Sequence, residues 1–448
     1  MSSAVLSNDA MSNADIIDPD TYVDGVPLKR LAELRAAGAV AWVDEPPVDH
    51  WPAGTGFWAV LRHAEVEHVL RHPQIFSSSA GLTQVYDAPE PVRVVLRRMM
   101  INMDPPEHSR LRSLTTKAFT PRAVARLEER ITARARYLVD AAAARGEVDF
   151  AREVAADLPL TTLAEVLGVP ESDRWLMFDW SNRVIGLLDA EYAASDAFDA
   201  EGATPMARRA LQARPRPDAN GRMPDSRRPD GMADLYAYAR ELAEYRRHEP
   251  GEDIMSLLIQ QADAAGGRIT PEEFEQLFWL FSVAGNETVR NALPGAMLTL
   301  IEHPDAYAAL RADRSLVPGA VEELLRWWTP VIQFRRTAVQ DTRLGGTDIK
   351  AGDKVVVFFS AANRDERVFT EPDTFDVTRS PNPHLSFGHG PHFCIAAYLA
   401  RVQLRAMVEA VLDRFTSVEL AGPPVRLRSN FQNGVKHLPV RWRSDVVR

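Results

Sequence analysis

The chain has 448 residues with 62 acidic and 52 basic side chains, so its formal net charge is −10. An acidic balance of this kind argues against extended nucleic-acid binding, which needs clustered positive charge on the protein. Cys394 is the single cysteine, which excludes an intramolecular disulfide and the zinc and iron–sulfur sites that several cysteines build.

Residues 1–24 are polar and rich in aspartate, which predicts a mobile tail ahead of one domain at residues 25–448. The tail lacks the apolar core of a signal peptide. No stretch reaches the roughly 18 apolar residues that a membrane span requires. We therefore expect a cytoplasmic protein without a membrane span.

The first clear elements follow this tail. Residues 56–73, "GFWAVLRHAEVEHVLRHP", predict a strand and then a helix that ends before Pro73. Helical patterns dominate residues 106–190. Residues 202–231 differ, because they are rich in Pro, Gly and Arg and poor in large apolar side chains. Loops of this length are usually functional or disordered, and we expect a flexible lid loop here.

The strongest helix signal begins at Thr270, a good N-cap residue. Pro271 suits the first helical position, and Glu273 completes a capping box. The helical pattern continues to His303, ahead of Pro304, which corresponds to a length of roughly 48 Å. Apolar residues surround its middle, "LFWLFSVAG", so the helix should be buried.

The pattern changes after residue 330 to short β-prone runs such as "DKVVVFF". A last long helix is predicted immediately after Cys394. The fold class is therefore mainly α, of the α+β type, with a small β region toward the C-terminus.

The segment around the thiol, "FGHGPHFCIA" at residues 387–396, permits three interpretations of Cys394: a metal or cofactor ligand, a catalytic nucleophile, or a buried core residue. A helix N-terminus stabilises a thiolate. Gly388 and Gly390 permit a tight loop whose amides could point at the sulfur. His392 could serve as the base of a nucleophile, so the segment alone leaves the alternatives open.

The pattern F-G-x-G-x-H-x-C strongly resembles the haem-binding loop of the cytochrome P-450 monooxygenases. Further segments resemble that family in the same order: "MDPPEHSRLR", "AGNET", "EELLR", "FRRTAVQD" and "FDVTRSPNPHLSFG". The resemblance covers residues 25–443. It implies a helical bundle with a long central helix, a small β region and one haem b.

The resemblance implies that Cys394 is the axial ligand of the haem iron, where a thiolate favours O–O cleavage. Buried haem propionates need cations or strong donors. The residues implied as their partners are His108, Arg112, Arg336 and His392, with Arg335 less favoured than Arg336. Phe387, Ala284 and Gly285 are the other implied haem contacts.

"AGNET" resembles the family's oxygen-activating motif. Gly285 would leave space for dioxygen, and the Thr288 hydroxyl would bond back to an earlier carbonyl and admit water. Glu287 would be the acid end of a proton relay, because a buried acid beside threonine is more often functional than not. Glu287 and Thr288 are therefore the predicted catalytic residues.

Two features do not point to catalysis. Glu323 and Arg326, three residues apart, resemble the family's buried ion pair, with Arg379 as third member, and we assign them to folding. Ala396 stands where the family usually has glycine, and its methyl group could shift the helix or the haem slightly.

The resemblance implies a reaction that inserts one atom of dioxygen into a hydrophobic substrate, usually by hydroxylation. Electrons would come from NAD(P)H through a reductase and a ferredoxin, which we expect to dock on Arg110, Lys117 and Arg405. A catalytically silent haem-binding scaffold and a peroxide-using enzyme are alternatives, and the intact "AGNET" argues against both.

The stretches "TPVIQFRRTA", "SANRDERVF" and "RLRSNFQNGVKHLPV" most resemble the branch of the family that acts on sterols, methyl-branched lipids and terpenoids. In that branch the corresponding segments face the pocket. The implied wall residues are Val331, Ile332, Phe334 and Phe431. A tailoring hydroxylase of a polyketide or peptide natural product is the alternative.

Overall fold

The computed structural model describes residues 13–49, 51–193, 202–218, 223–263 and 267–443. Helices dominate these residues. The α-helices are α1 Leu28–Ala37, α2 His63–Arg71, α3 Glu90–Leu96, α4 Glu107–Thr115, α5 Pro121–Ala143, α6 Asp157–Leu167, α7 Arg174–Ile185, α8 Ala190–Ala193, α9 Pro205–Ala210, α10 Ala233–His248, α11 Ile254–Asp263, α12 Pro271–Glu302, α13 Pro304–Ala312, α14 Val317–Trp328, α15 Phe359–Ala362 and α16 Ala397–Arg414. The prediction of a mainly helical protein with a small β region is confirmed.

The strands are short. They are β1 Val40–Val43, β2 Phe57–Val60, β3 Phe76–Ser77, β4 Glu147–Asp149, β5 Gln333–Ala338, β6 Thr342–Leu344, β7 Thr347–Ile349, β8 Lys354–Phe358, β9 Ser417–Leu420, β10 Val425–Arg426, β11 Val435–His437 and β12 Pro439–Arg443. The main sheet has the order β1-β2-β8-β5-β3, and its β2–β8 pair is parallel. A three-stranded sheet, β4-β12-β9, and the pairs β6-β7 and β10-β11 complete the β structure.

The main sheet is buried on both faces, which explains the continuous apolar run "DKVVVFF" in β8. Val356 and Phe358 pack into one apolar cluster with Phe57. Val355 and Val357 point to the opposite side and pack with Phe76. Alternate side chains of a strand point to opposite faces, so a strand covered on both sides has no polar period.

The predicted long helix is α12, Pro271–Glu302, and its ends agree with the sequence pattern. The Thr270 hydroxyl accepts from the Glu273 amide, and the Glu273 carboxylate accepts from the Thr270 amide, so the capping box is present. The middle of α12 is buried in the largest apolar cluster of the described residues, together with α5, α6, α7, α14 and α16. This helix positions one wall of the site described below.

The predicted mobile tail is wrong for residues 13–24. These residues form two short 3-10 turns, and Ile16, Ile17 and Tyr22 are at most 3% exposed. The Tyr22 hydroxyl donates to the Ile16 carbonyl oxygen at 2.7 Å. Apolar partners in the second cluster, including Phe358, outweigh the local polarity of the segment. Residues 1–12 of the predicted tail lie outside the described residues.

The segment 202–231 is more ordered than its composition predicts. Thr204 caps α9, and Asp173 accepts from both its amide and its hydroxyl. Ala207 is fully buried, and Arg214 donates twice to Asp179, at 2.6 and 2.8 Å. Residues 202–218 therefore include a short helix and polar anchors that the composition does not predict. Residues 219–222 lie outside the described part.

Within the described residues, no helix is both long enough and apolar enough to cross a membrane.

Candidate active site

A largely apolar cavity lies between α12 and the loop that precedes α16. Helices α4 and α6 and the segment before β5 close its sides. The wall includes Met100, Phe119, Leu163, Leu280, Phe281, Val289, Phe334, Phe359 and Leu404. Cys394 lines one end of this cavity, so its thiol faces a largely apolar space.

The loop around Cys394 owes its shape to two glycines. Gly388 and Gly390 have φ values of +70° and +68°, a region that side-chain-bearing residues avoid. A Cβ on Gly390 would also collide with the backbone of Leu70 at the end of α2. The Cys394 amide donates to the Phe387 carbonyl oxygen at 2.9 Å, which closes the turn.

Helix α16 starts at Ala397, two residues later than predicted. The backbone amide of Ala396, next to the start of this helix, acts to lower the pKa of the Cys394 thiol, as expected near a helix N-terminus. Burial raises the pKa of the Cys394 thiol, while this amide and the charges of Arg112 and Arg401 act in the opposite direction. A bound cation would stabilise the thiolate further.

Among the described residues, His392 makes no hydrogen bond to the Cys394 thiol. Its Nε2 lies 3.0 Å from the Met103 carbonyl oxygen, and a carbonyl can only accept, so this nitrogen carries the proton. Burial lowers the pKa of His392 well below its ordinary value. The geometry therefore favours the ligand interpretation of Cys394 over the nucleophile.

Basic side chains gather at the same end of the cavity. His108, Arg112 and His392 line it, and the rings of the two histidines are 4.1 Å apart. Arg336 lies close enough to depress the pKa of both imidazoles, and burial lowers its own pKa to about 10. Burial also lowers the pKa of His108 to about 4.

These basic groups lack a carboxylate of their own among the described residues. The nearest acid, Asp104, accepts from the Ser78 amide at 2.8 Å and from the Ser79 hydroxyl at 2.9 Å. His108 Nδ1 is buried and has no hydrogen-bond partner. Unpaired buried donors are costly, so this end of the cavity suits an anionic ligand group.

Comparisons with known proteins agree with this geometry. The cytochrome P-450 family profile matches residues 233–437. The chain is 37% identical over 440 residues to the steroid C26-monooxygenase of Mycolicibacterium smegmatis, which covers 97% of this chain and 94% of the relative. It is 38% identical to the methyl-branched lipid omega-hydroxylase of Mycobacterium bovis, with 89% of each chain covered.

A Mycobacterium marinum cytochrome P-450 in complex with pseudoionone superposes with a TM-score of 0.81 and 34% identity, covering 98% of this chain and 100% of that chain. The chain belongs to the cytochrome P-450 family. It is therefore a monooxygenase that uses dioxygen, a hydrophobic substrate and a redox partner.

The residues of the site fit the family's haem. P-450 proteins bind iron protoporphyrin IX through a cysteine thiolate, and Cys394 is the only cysteine of this chain. The unpartnered His108 Nδ1 and the basic groups beside it suit the propionates of such a cofactor. Phe387 and Ala396 also line the cavity next to the thiol.

The methyl group of Ala396 causes no backbone strain, because its φ is −99°. The substitution that the sequence pattern singled out is therefore compatible with the start of α16. Arg335, the less favoured propionate partner, points elsewhere and pairs with Asp87 at 2.7 Å.

Helix α12 presents Ala284, Gly285 and Thr288 to the cavity. The Thr288 hydroxyl donates to the Ala284 carbonyl oxygen at 3.1 Å, as the motif predicts. A Cβ on Gly285 would lie 2.9 Å from Leu163 Cδ1, so this glycine also permits the close approach of α6 and α12. Its role is thus partly one of helix packing, which the sequence interpretation did not include.

Glu287 is fully buried, but it is not part of the cavity wall. Its Oε2 accepts from the Tyr192 hydroxyl at 2.7 Å, and its Oε1 lies 3.2 Å from Arg290 Nη1. Burial raises the pKa of Glu287, whereas the Arg290 charge and the Tyr192 hydrogen bond act against the shift. The predicted acid is present, and in this conformation it faces α8 instead of the cavity.

The structure places the four predicted substrate-wall residues differently with respect to the cavity. Val331 and Phe334 line the cavity. Phe431 lies behind Phe334, with ring centroids 5.4 Å apart. Ile332 is a correction, because it is buried in the apolar cluster on the far side of the main sheet. Successive side chains of an extended segment point to opposite sides, so Val331 and Ile332 do not share a wall.

Several wall residues were missed by the sequence interpretation. Phe281, Val289 and Ala292 lie on the same face of α12 as Thr288, since the lining positions 281, 284, 285, 288, 289 and 292 follow the three- and four-residue repeat of one helix face. That periodicity was available in the sequence. Phe119, Leu163 and Phe359 come from separate elements, and only the tertiary structure brings them to the cavity.

Proposed function

We propose that this P-450 hydroxylates a steroid or a methyl-branched lipid. The observation that carries the proposal is an apolar cavity whose one end holds the thiol and whose α12 wall holds Thr288. Burial of an extended hydrocarbon skeleton there is worth roughly 25 cal/mol per Å² of apolar surface. The activities named for the similar proteins, on steroid and methyl-branched lipid substrates, support the same class.

In this proposal Cys394 would bind the haem iron, and His108, Arg112, Arg336 and His392 would hold the propionates, while Phe387, Ala284 and Gly285 would contact the porphyrin. When bound, the haem supplies the activation of dioxygen. Thr288 holds a proton-carrying hydroxyl at the cavity wall, and the bond to the Ala284 carbonyl fixes its orientation. Glu287 supplies protons from the buried side of α12.

The proposed electron donor is a ferredoxin reduced by an NAD(P)H-dependent reductase, in the cytoplasm. Lys117 is exposed and suits an acidic partner. Arg110 and Arg405, the other two residues of the expected docking patch, already pair with Glu273 and Glu128. Their positive charge is therefore partly neutralised, and Lys117 is the strongest of the three candidates.

The exposed side chains beside the thiol add apolar contact area on the same side. Phe393 is 41% exposed, and Tyr398 is 36% exposed. Both flank Cys394 along the chain, and aromatic residues are enriched at protein interfaces.

A titration of the purified holoprotein tests the substrate class. Steroids and methyl-branched fatty acids should produce a saturable type I shift of the haem spectrum, and mass spectrometry should detect a product heavier by one oxygen atom. Phe334→Ala should weaken binding by about tenfold, since it removes a large apolar wall residue. Ile332→Val, behind the wall, is the matched control and should bind as the parent does.

A polyketide or peptide substrate is the alternative for the same cavity. A shift with macrolides or cyclic peptides, and none with any steroid or branched lipid, would replace the proposed substrate class by this one.

A further inference from the structure

Tyr192 makes a hydrogen bond that the monooxygenase motif does not require. Its hydroxyl donates to Glu287 Oε2 at 2.7 Å, and the two residues are 95 positions apart in the chain. Tyr192 is 9% exposed and Glu287 is fully buried, so water does not compete well for this bond. A buried phenol that donates to a buried carboxylate is a strong, oriented contact.

Arg290 completes the surroundings of this carboxylate. Its guanidinium lies between the rings of Tyr192 and Phe178, at 4.4 and 4.5 Å from their centroids. Arg290 Nη1 also donates to Asn182 Oδ1 at 2.7 Å. Stacking and this hydrogen bond hold the Arg290 guanidinium in place, so its positive charge stays next to the Glu287 carboxylate.

The short helix that carries Tyr192 is itself anchored to the C-terminal strands. Asp189, just before α8, accepts from the Arg428 amide and pairs with Lys436, both at 3.0 Å. Glu191 pairs with His437 at 2.8 Å. The position of the Tyr192 hydroxyl is therefore determined by contacts on both sides of it along the chain.

We propose that Tyr192 is a positioning residue for proton delivery, because its hydroxyl holds the Glu287 carboxylate on the α8 side of α12, away from the wall that carries Thr288. The inference rests on the proposed role of Glu287 as the proton-supplying acid. Proton transfer toward Thr288 then requires Glu287 to leave this bond and turn to the cavity. Tyr192 thus keeps the acid in one defined position from which it turns toward Thr288, and loss of this bond leaves the acid poorly positioned for that transfer.

Burial and two neighbouring groups, Arg290 and the Tyr192 hydroxyl, determine the charge state of Glu287 in this position. The carboxylate is destabilised by its burial and stabilised by Arg290 and by the Tyr192 hydroxyl. A hydrogen bond to the ionised form lowers the pKa of an acid. Loss of the Tyr192 hydroxyl should therefore raise the pKa of Glu287 further and leave its side chain free to rotate.

The test uses the holoprotein with the variants Tyr192→Phe and Glu287→Gln. The control is Tyr238→Phe, because the Tyr238 hydroxyl also donates to a buried carboxylate, Asp173, at 2.8 Å. Tyr192→Phe should lower the product formed per NAD(P)H by about tenfold and raise the yield of hydrogen peroxide. The effect should be moderate, because removal of an acid–base group itself typically costs roughly 10² to 10⁴ in rate. The control should match the parent.

Infrared spectroscopy provides a readout that does not depend on turnover. The carbonyl band of protonated Glu287, identified by its loss in Glu287→Gln, should reach its midpoint at higher pH in Tyr192→Phe than in the parent. It should not move in Tyr238→Phe. Type I binding shifts should be the same in all four proteins, which shows that the substrate site is intact.

The outcomes separate the inference from the proposed function. If Glu287→Gln couples as the parent does, the acid role of Glu287 is wrong, and the inference falls with it. If Glu287→Gln uncouples but Tyr192→Phe matches Tyr238→Phe in both coupling and infrared midpoint, the inference alone is overturned. A shifted midpoint together with uncoupling in Tyr192→Phe supports it.

Discussion

Arg326 and Glu323 form a fully buried bidentate ion pair, in which Nε and Nη2 each donate to a carboxylate oxygen at 2.7 Å. Arg379 Nε lies 3.1 Å from the same carboxylate. Removing the negative charge of Glu323 leaves the Arg326 and Arg379 cations without their carboxylate partner. Glu323→Gln should therefore lower the free energy of unfolding by about 3–5 kcal/mol. Urea unfolding followed by haem absorbance measures this loss.

The control for this prediction is Glu244→Gln. Glu244 and Arg247 have the same three-residue spacing, but both side chains are more than 40% exposed. Glu244→Gln should lower the free energy of unfolding by less than about 1 kcal/mol. Equal losses in both variants would show that burial does not decide the strength of the pair.

The Cys394 thiolate predicts a spectral signature. The reduced protein with carbon monoxide should show the strongly red-shifted Soret band of thiolate-ligated haem. Cys394→Ser should abolish it, because a hydroxyl is a poor thiolate substitute. Circular dichroism serves to verify that the variant keeps its helical content, and an unchanged Soret band would exclude Cys394 as the ligand.

Thr288→Ala should retain haem and substrate binding but divert reducing equivalents to hydrogen peroxide. Loss of a positioned proton donor typically costs about 10² to 10⁴ in rate. Thr299 is a matched control on the same helix, since its hydroxyl also bonds back, to the Gly295 carbonyl oxygen at 2.8 Å. Thr299 is buried away from the cavity, so Thr299→Ala should remain coupled; equal uncoupling in both would remove Thr288 from the relay.

His437 predicts a pH-dependent contribution to stability. It lies 2.7 Å from Asp149 and 2.8 Å from Glu191. Although partial burial acts to lower it, the hydrogen bonds with Glu191 and Asp149 raise the pKa of His437. The contribution is therefore complete below the ordinary pKa of about 6.5 and disappears as pH rises through the raised value.

The corresponding measurement compares melting temperatures of the parent and His437→Gln against pH. The difference should be largest in mildly acidic buffer, where Glu191, with a pKa of about 2, remains ionised. It should vanish in alkaline buffer. A difference that is constant with pH would mean that packing, not charge, accounts for the effect.

Lys117→Glu should slow electron transfer from a ferredoxin at low ionic strength, and added salt should reduce the difference, as expected for steered association. Lys350→Glu, which changes an exposed lysine in the turn after β7, is the control for net charge. If both variants are reduced at the same rate, Lys117 does not belong to the docking surface.

Local signals in the sequence located much of this fold. The capping box at Thr270 predicted the start of α12, and the glycines around Cys394 predicted the loop. These features are short-range, since hydrogen bonds and φ values within a few residues determine them. The roles of the thiol, the basic groups near it and Thr288 were instead predicted from the resemblance of their motifs to the P-450 family.

The features that the sequence did not predict depend on packing between segments that are far apart in the chain. Ile16 and Ile17 sit in a polar segment, yet they complete a core built from distant strands. Ile332 was assigned to the wrong side because one residue of register reverses the face of an extended segment. The partner of Glu287 is a tyrosine 95 residues away, and no local pattern indicates that pair.

Helix α12 is at once the centre of the main core and a wall of the cavity. Phe281 and Val289 contribute to both, so a substitution that reshapes the cavity there also disturbs packing around the helix. Val331 and Phe334 lie outside that cluster and pack against the smaller apolar cluster on one face of the main sheet. Substitutions that change the substrate range in evolution should therefore accumulate in the segment before β5 and within β5. The cavity-facing residues of α12 should change more slowly.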